Sequence, residues 1–157
     1  MQVKSILFVC MGNICRSPMA EGVFKKILER EHKSHEIFVD SAGTIGYHAG
    51  ELADARMRRH AANRGYLLTH KSRKVCFTDF EKFDLLVAMD DANYADLCEL
   101  ANSPEEKNKI VRMTDYCRTF EATHIPDPYY GGETGFEHVI DLLEDACEGL
   151  YNTISYK

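Results

Sequence analysis

Residues 3–20 read VKSILFVCMGNICRSPMA, and this stretch decides the fold. Residues 3–9 form a short apolar run that is typical of a buried β-strand. Residues 18–32 repeat apolar side chains at helical spacing, and Pro18 suits a first helical turn. A buried strand that leads through a short turn into a helix predicts the first unit of a parallel α/β fold.

The same alternation of short strands and longer helices continues along the chain. Further strands are predicted around Ile37 and Val39, closed by Ser41-Ala42-Gly43, and over 83–89 and 110–113. Further helices are predicted over 53–64, with Gly65 as the capping residue, over 90–100 and over 136–154. The pattern predicts a parallel sheet with helices on its faces, in a single domain over residues 1–157. Residues 114–135 form a long irregular stretch, and loops of that length are often functional.

The composition limits the classes of protein to which the chain can belong. It has 157 residues, of which 45% are hydrophobic and 28% charged, with a net charge of −6 and a pI near 5.6. These values are ordinary for a globular domain and exclude collagen-like and disordered chains. An acidic chain is not expected to bind nucleic acid, which needs a basic surface. No apolar run is long enough for a bilayer span, so no membrane contact is expected.

The six cysteines are predicted to be free thiols in a cytoplasmic protein. The N-terminal apolar run ends in a Gly-Asn turn without a cleavage site, so it is not a secretory signal. The chain is also larger than most disulfide-stapled scaffolds. The sequence has no C-x-x-C, and no His–Cys spacing resembles a zinc site, so no metal is expected.

The turn between the first strand and the first helix predicts an anion site with a nucleophile. Its core is a cysteine, five residues, and then arginine and serine, at Cys10, Arg16 and Ser17. Such a turn aims several backbone N–H groups at one point, and Gly12 and Asn13 tolerate the left-handed angles that it needs. The guanidinium of Arg16 can bind two phosphate oxygens, and the surrounding donors favour the thiolate of Cys10. The Ser17 hydroxyl can hydrogen-bond that thiolate.

A second candidate residue lies in the long irregular stretch. A phosphocysteine route to hydrolysis needs a general acid, and Asp127 is the best candidate, because Pro126 and Pro128 stiffen the backbone beside it. Tyr129 and Tyr130 follow directly, and two aromatic rings on a loop can form the wall of a slot for a planar ring.

These residues together resemble the low-molecular-weight protein tyrosine phosphatases, over nearly the whole chain. The matching segments are residues 9–21, Asp40-Ser41-Ala42-Gly43-Thr44, His70-Lys71-Ser72-Arg73, Phe83-Asp84, Met89-Asp90 and Pro126-Asp127-Pro128-Tyr129. The resemblance implies a small doubly wound α/β domain with a four-stranded parallel sheet and helices on both faces. It also implies a protein phosphotyrosine substrate, with a tyrosine kinase among the candidate partners, no cofactor, and a monomer.

The resemblance also implies a role for each site residue. Cys10 is the nucleophile, Arg16 binds the phosphate, and Asp127 is the general acid and then the general base. The residues expected to contact substrate are Met11, Gly12, Asn13, Ile14, Cys15, Arg16, Ser17, Tyr47, Tyr129 and Tyr130. Those expected to hold the loop in its shape are Asn13, Ser17, Ser41 and His70. Family members with a cysteine at the position of Cys15 can form a reversible disulfide, so a protective Cys10–Cys15 bridge is a hypothesis here.

Two other functions are weighed against phosphatase activity. Thioredoxin-coupled arsenate reductases share the anion loop, but they relay oxidation through closely spaced cysteines, whereas Cys76 and Cys98 are far apart here. A non-catalytic anion-binding or partner-binding module is disfavoured, because both Cys10 and Asp127 are present. On the predicted helix 53–64, the arginines are interpreted as a solvated charged face: Arg56, Arg58, Arg59 and Arg64.

Overall fold

The computed structural model describes residues 2–129 and 131–155. The strands are β1 Ser5–Cys10, β2 Phe38–Gly43, β3 Leu85–Ala88 and β4 Ile110–Arg112. The helices are α1 Arg16–Arg30, α2 Ala55–Asn63, α3 Phe77–Lys82, α4 Asp91–Leu100, α5 Pro104–Lys107 and α6 Glu133–Ser155, with a 3₁₀ turn over Met113–Tyr116. In the part of the chain described, no helix combines the length and apolarity needed to cross a bilayer.

The four strands form one parallel sheet in the order β2-β1-β3-β4. The chain passes from β1 to β2 on one side and then returns to β3 on the other side, which is the doubly wound arrangement. The predicted α/β fold with a four-stranded parallel sheet is therefore confirmed. In such sheets ligands bind beyond the carboxyl ends of the strands, where the strand order reverses. Here that point is the turn that follows β1.

Alternate side chains of β1 contribute to two hydrophobic cores, one on each face of the sheet. Ile6 and Phe8 pack with the apolar faces of α1 and α6. Leu7 and Val9 pack with Phe80 of α3 and side chains of α4 on the other face. Helices therefore cover both faces, and β1 is buried on both sides, as its continuous apolar run predicts.

The ends of several helices differ from the prediction. α1 begins at Arg16 rather than at residue 18, and α6 begins at Glu133 rather than at residue 136, so the irregular stretch is shorter than predicted. α3 and α5 were missed, because helices of 6 and 4 residues are too short to show helical periodicity. The predicted cap of α2 is confirmed, since Gly65 has φ +87°.

Candidate active site

The anion loop, residues 10–17, joins β1 to α1 and surrounds the sulfur of Cys10. The Cys10 residue is only 3% exposed. The backbone N–H of Asn13 donates to the Sγ of Cys10 at 3.3 Å, and the Ser17 Oγ lies 3.0 Å from the same sulfur. The Ser17 oxygen accepts a hydrogen bond from Asn13 Nδ2, and its own proton can face the Cys10 sulfur at 3.0 Å or the Ala42 carbonyl at 3.5 Å. The Asn13 N–H and the Ser17 hydroxyl therefore both face the Cys10 sulfur.

Asn13 holds the turn in a conformation that few residues adopt. Its φ is 58°, in the left-handed region that asparagine tolerates. Its Nδ2 donates to Ser17 Oγ at 2.7 Å and to Ser41 Oγ at 3.0 Å, and its Oδ1 accepts from the backbone N–H of Arg73 at 3.0 Å. The expected left-handed angle is confirmed for Asn13 but is wrong for Gly12, which has no positive φ. At Gly12 the constraint is space, because a Cβ there would lie 3.3 Å from the ring of His48.

A group of charged side chains lies behind Asn13 and supports it. His70 Nε2 donates to Asn13 Oδ1 at 2.9 Å, since that oxygen can only accept. The Nδ1 of His70 lies 3.2 Å from Asp40 Oδ1 and 3.4 Å from Glu21 Oε1. Ser41 Oγ donates to the same Glu21 oxygen at 2.6 Å. The buried polar groups of the loop are therefore satisfied by a network that reaches β2 and the segment before α3.

Opposing effects act on the Asp40 carboxyl in this network. Burial raises its pKa, but hydrogen bonds from His70 and from the Ser41 backbone, together with the charge of Arg73, lower it to about 2. Glu21, Asp40 and His70 also bring their ligand atoms within 4.8 Å of one another, a spacing that can hold a metal ion. The Glu21 and Asp40 carboxylates are already paired with Lys25 and Arg73, as expected of a structural ion-pair network.

Arg16 begins α1, and its guanidinium links the anion loop to two other segments. Its Nη1 donates to Asp90 Oδ2 at 2.7 Å and to the Ile125 carbonyl at 3.0 Å. Its Nη2 lies 3.7 Å from Asp127 Oδ2. Burial lowers the pKa of Arg16, but the neighbouring Cys10, Asp90 and Asp127 outweigh burial and raise it, so the side chain stays a cation.

The acid loop, residues 125–129, brings Asp127 to the mouth of the anion loop. Its backbone is attached to the residue that follows β3, since the Ile125 N–H donates to the Met89 carbonyl at 2.8 Å. Asp127 Oδ1 accepts from the Tyr129 N–H at 3.0 Å, and the Asp127 side chain is 35% exposed. The carboxyl is therefore held beside Arg16 while remaining accessible to solvent.

The anion loop and the acid loop enclose a cleft of about 310 Å³. It is lined by Cys10, Met11, Gly12, Ile14, Cys15, Arg16, Ile45, Tyr47, His48, Asp127 and Tyr129. Three of the residues expected to contact substrate are not among those that line the cleft. The side chains of Asn13 and Ser17 are buried within the anion loop, and Tyr130 falls outside the described residues. Ile45 and His48 were not predicted, although both lie within two residues of Tyr47 in sequence.

Aromatic rings form one side of this cleft. Tyr47 is 81% exposed, and its ring packs edge-on against His48 with centroids 4.8 Å apart. The ring of His48 lies 6.2 Å from that of Tyr129. A wall of aromatic rings on one side of a cleft suits a planar aromatic group.

Cys15 faces the cleft but differs from Cys10 in its surroundings. Burial and the nearby charges of Asp54, Cys10 and Asp127 raise the pKa of the Cys15 thiol well above its usual range, although Arg56 opposes them. Cys10 and Cys15 are both free thiols in the structure. Cys15 therefore rests as a neutral thiol.

Comparison with known proteins identifies relatives along the whole chain. A family model described as "Low molecular weight phosphotyrosine protein phosphatase" matches residues 5–157. A low molecular weight protein-tyrosine-phosphatase of Streptomyces coelicolor is 42% identical over 147 residues, which cover 92% of this chain and 90% of that protein. A low molecular weight phosphotyrosine protein phosphatase of Homo sapiens is 39% identical over 148 residues, which cover 94% and 93%.

A solved structure shares the fold closely. The crystal structure of a protein tyrosine phosphatase from Entamoeba histolytica, with Hepes in its active site, superimposes with a TM-score of 0.95 at 48% sequence identity. The match covers 98% of this chain and 97% of that one.

Proposed function

The chain belongs to the low molecular weight phosphotyrosine protein phosphatase family and is a tyrosine phosphatase enzyme, and we propose that it acts through a phosphocysteine on Cys10. The observation that carries this mechanism is the grouping of three side chains around one cleft. The sulfur of Cys10 lies beneath the anion loop, and Arg16 and Asp127 line the same cleft. A nucleophile, an anion-binding cation and a proton donor are the groups that the reaction requires.

In the first step the Cys10 thiolate attacks phosphorus, so that an S–P bond forms as the bond to the tyrosine oxygen breaks. Asp127 gives its proton to the departing phenolate. Backbone N–H groups of residues 11–16 and the guanidinium of Arg16 stabilise the charge on the equatorial oxygens. Asp90 and the Ile125 carbonyl hold the guanidinium of Arg16 through Nη1, beside the cleft in which the phosphate would bind.

In the second step a water molecule attacks the phosphocysteine. Asp127, now a carboxylate, takes the proton of the water as the new P–O bond forms. The S–P bond breaks, inorganic phosphate leaves, and the Cys10 thiolate is restored. The Ser17 hydroxyl, 3.0 Å from Sγ, stabilises the sulfur as a leaving group.

We propose a phosphotyrosine-bearing protein as the substrate, with a tyrosine kinase among the candidates. The rings of Tyr47, His48 and Tyr129 supply an aromatic wall of the kind that a phenyl ring fits. A monomer of one domain over residues 1–157, a cytoplasmic location and a protective Cys10–Cys15 disulfide remain predictions. The arsenate reductase alternative is not favoured, because the relatives are described as tyrosine phosphatases.

The mechanism is tested by assaying p-nitrophenyl phosphate and arsenate turnover in the wild type, in Cys10→Ser and in Cys76→Ser. Cys76 is an exposed thiol at the start of α3, away from the cleft, and is the matched control. Cys10→Ser is expected to lower kcat/KM by at least about 10⁴-fold, since it removes the nucleophile. Cys76→Ser is expected to keep wild-type activity. Residual activity of Cys10→Ser near the wild-type value, or faster turnover of arsenate, would contradict the proposal.

A further inference from the structure

We propose that Arg56 is a positioning residue that fixes the position of the acid loop relative to the anion loop. The inference rests on the proposed function, because it concerns the delivery of the proton from Asp127. Arg56 does not line the cleft. It lies in the first turn of α2 and acts through the residues that flank Asp127.

The first contact of Arg56 ties it to the anion loop. Its Nε and Nη2 donate to the two carboxylate oxygens of Asp54 at 3.2 and 3.1 Å. Asp54 is the N-cap of α2, and its own backbone N–H donates to the Ile14 carbonyl at 2.8 Å. The fork of hydrogen bonds to Asp54 therefore fixes the guanidinium relative to the loop that surrounds Cys10.

The second contact reaches the acid loop. Arg56 Nη2 also donates to the Tyr129 carbonyl at 2.8 Å. The guanidinium lies 5.5 Å from the centre of the Tyr129 ring and 4.9 Å from that of Phe136, in the first turns of α6. One side chain thus holds both the backbone and the ring of Tyr129, and the Tyr129 N–H in turn holds Asp127 Oδ1 at 3.0 Å.

Asp127 therefore lies between two arginine anchors. Arg16 holds Ile125 before it, and Arg56 holds Tyr129 after it. When phosphate binds, Arg16 has to direct donors at the phosphate oxygens. Arg56 does not line the cleft, so a phosphate in the cleft does not compete for its hydrogen bonds to Asp54 and Tyr129. We infer that Arg56 maintains the Asp127 position during proton transfer.

This contact corrects the interpretation of the α2 arginines as a solvated charged face. The fork of Arg56 donates to three oxygens in two segments, and lysine cannot reproduce this geometry. Arg59 provides a matched control on the same helix. It pairs with Glu133 at 2.8 Å, with side chains 55% and 77% exposed, and so bridges α2 to α6 without touching the acid loop.

The test compares Arg56→Met, Arg56→Lys and Arg59→Met on phenyl phosphate and p-nitrophenyl phosphate. Phenolate is the poorer leaving group, so its departure depends more on the acid. For Arg56→Met we expect kcat/KM on phenyl phosphate to fall about 10- to 100-fold, with a clearly smaller loss on p-nitrophenyl phosphate. Arg56→Lys is expected not to restore the rate, and Arg59→Met to leave it unchanged. Inhibition by inorganic phosphate should stay within about twofold in all three variants, since the anion loop is intact.

A double-mutant cycle separates positioning of the acid from a general loss of structure. In an Asp127→Asn background the acid is absent, so Arg56→Met should add less than about a threefold further loss. Three results would overturn the proposal. They are a loss of kcat/KM from Arg56→Met that is as large in the Asp127→Asn background as in the wild type, an equal loss on both substrates, and restoration of the rate by Arg56→Lys.

Hydrogen–deuterium exchange gives a measurement that does not depend on turnover. The amides of Ile125, Asp127 and Tyr129 should exchange faster in Arg56→Met than in the wild type and in Arg59→Met, while Pro126 and Pro128 have no amide proton. If the wild type hydrolysed neither substrate, the proposed function would fail while the exchange experiment still decided the role of Arg56. Unchanged exchange in Arg56→Met would overturn the positioning role even in an active enzyme.

Discussion

Most residues of the anion loop are buried, whereas most residues of the chain that leads to Asp127 are exposed. Residues 13–20 are all buried, and the polar side chain of Asn13 makes hydrogen bonds to three different segments. Residues 118–121, 123, 124 and 127 are exposed, although Ile125 is fully buried in the core and Tyr129 packs against it. The same cleft is therefore built from one side that is largely buried and one side that is largely exposed.

This difference matches what each side has to do. The phosphate oxygens need donors that are already oriented, because preorganised dipoles cost no rearrangement in the transition state. Asp127 has to exchange a proton with a leaving group in one step and with water in the next. A largely exposed segment tends to have a low local stability, so the position of Asp127 depends on the residues that hold Ile125 and Tyr129 on either side of it.

Removing the acid should give the largest effect. Asp127→Ala is expected to lower kcat about 10²- to 10⁴-fold, the usual contribution of a general acid, while inhibition by inorganic phosphate changes little. An Asp127→Ala variant with full activity on aryl phosphates would show that another group is the acid.

Breaking the anion loop should cost both stability and activity. Asn13→Ala removes hydrogen bonds to Ser17, Ser41 and His70 and places alanine at φ 58°. We expect unfolding in urea to show a loss of about 2–4 kcal/mol, since buried partners are left unsatisfied. We expect kcat/KM to fall at least about tenfold, because the anion loop loses the shape that binds the phosphate.

Two controls sharpen this comparison. Asn13→Gly removes the same hydrogen bonds but relieves the backbone conformation, so the difference between the two variants measures the strain. Thr123→Ala changes an exposed residue just before the acid loop and should shift stability by less than about 0.5 kcal/mol. A Thr123→Ala loss as large as that of Asn13→Ala would show that the two loops are equally well packed.

The smallest expected effect is a pH-dependent loss of stability behind the anion loop. The folded-state pKa of Asp40 is lowered from 3.8 to about 2, so its contribution is present above about pH 4 and is lost as the pH falls toward 2. Asp40→Asn should therefore lower the free energy of unfolding by about 2 kcal/mol at pH 7, and the difference from wild type should shrink toward pH 2.

Asp91→Asn is the matched control for that measurement. Asp91 pairs with Arg112 on the surface, where its side chain is 81% exposed, so the change should cost about 0–1 kcal/mol. A constant difference between Asp40→Asn and wild type from pH 7 to pH 2 would mean that the Asp40 charge contributes nothing to stability.

Local patterns in the sequence were sufficient to predict the strands, the longer helices and the turn at Cys10. The continuous apolar run of β1 indicates burial on both faces, and glycine, asparagine and proline mark the turn that follows. The short helices α3 and α5 were missed, because they contain too few turns for a periodic pattern. Ser103 before Pro104 was the one available signal for α5, since serine caps that helix.

The roles of Arg56, Asp90 and His48 depend on contacts between segments that are far apart in sequence. An arginine on an amphipathic helix has the same local pattern whether it faces solvent or bridges two loops. Arg56 contacts Tyr129 only because α2 and the start of α6 pack side by side.

The sequence by itself therefore determined the parallel α/β fold and the position of the anion loop, because both follow from short-range patterns of apolar, glycine and proline residues. Only the tertiary structure decided that Arg56 contacts the acid loop, that Ile45 and His48 line the cleft, and that the side chains of Asn13 and Ser17 do not. Those properties depend on distance, burial and the orientation of donors, and these are set when separate segments pack together.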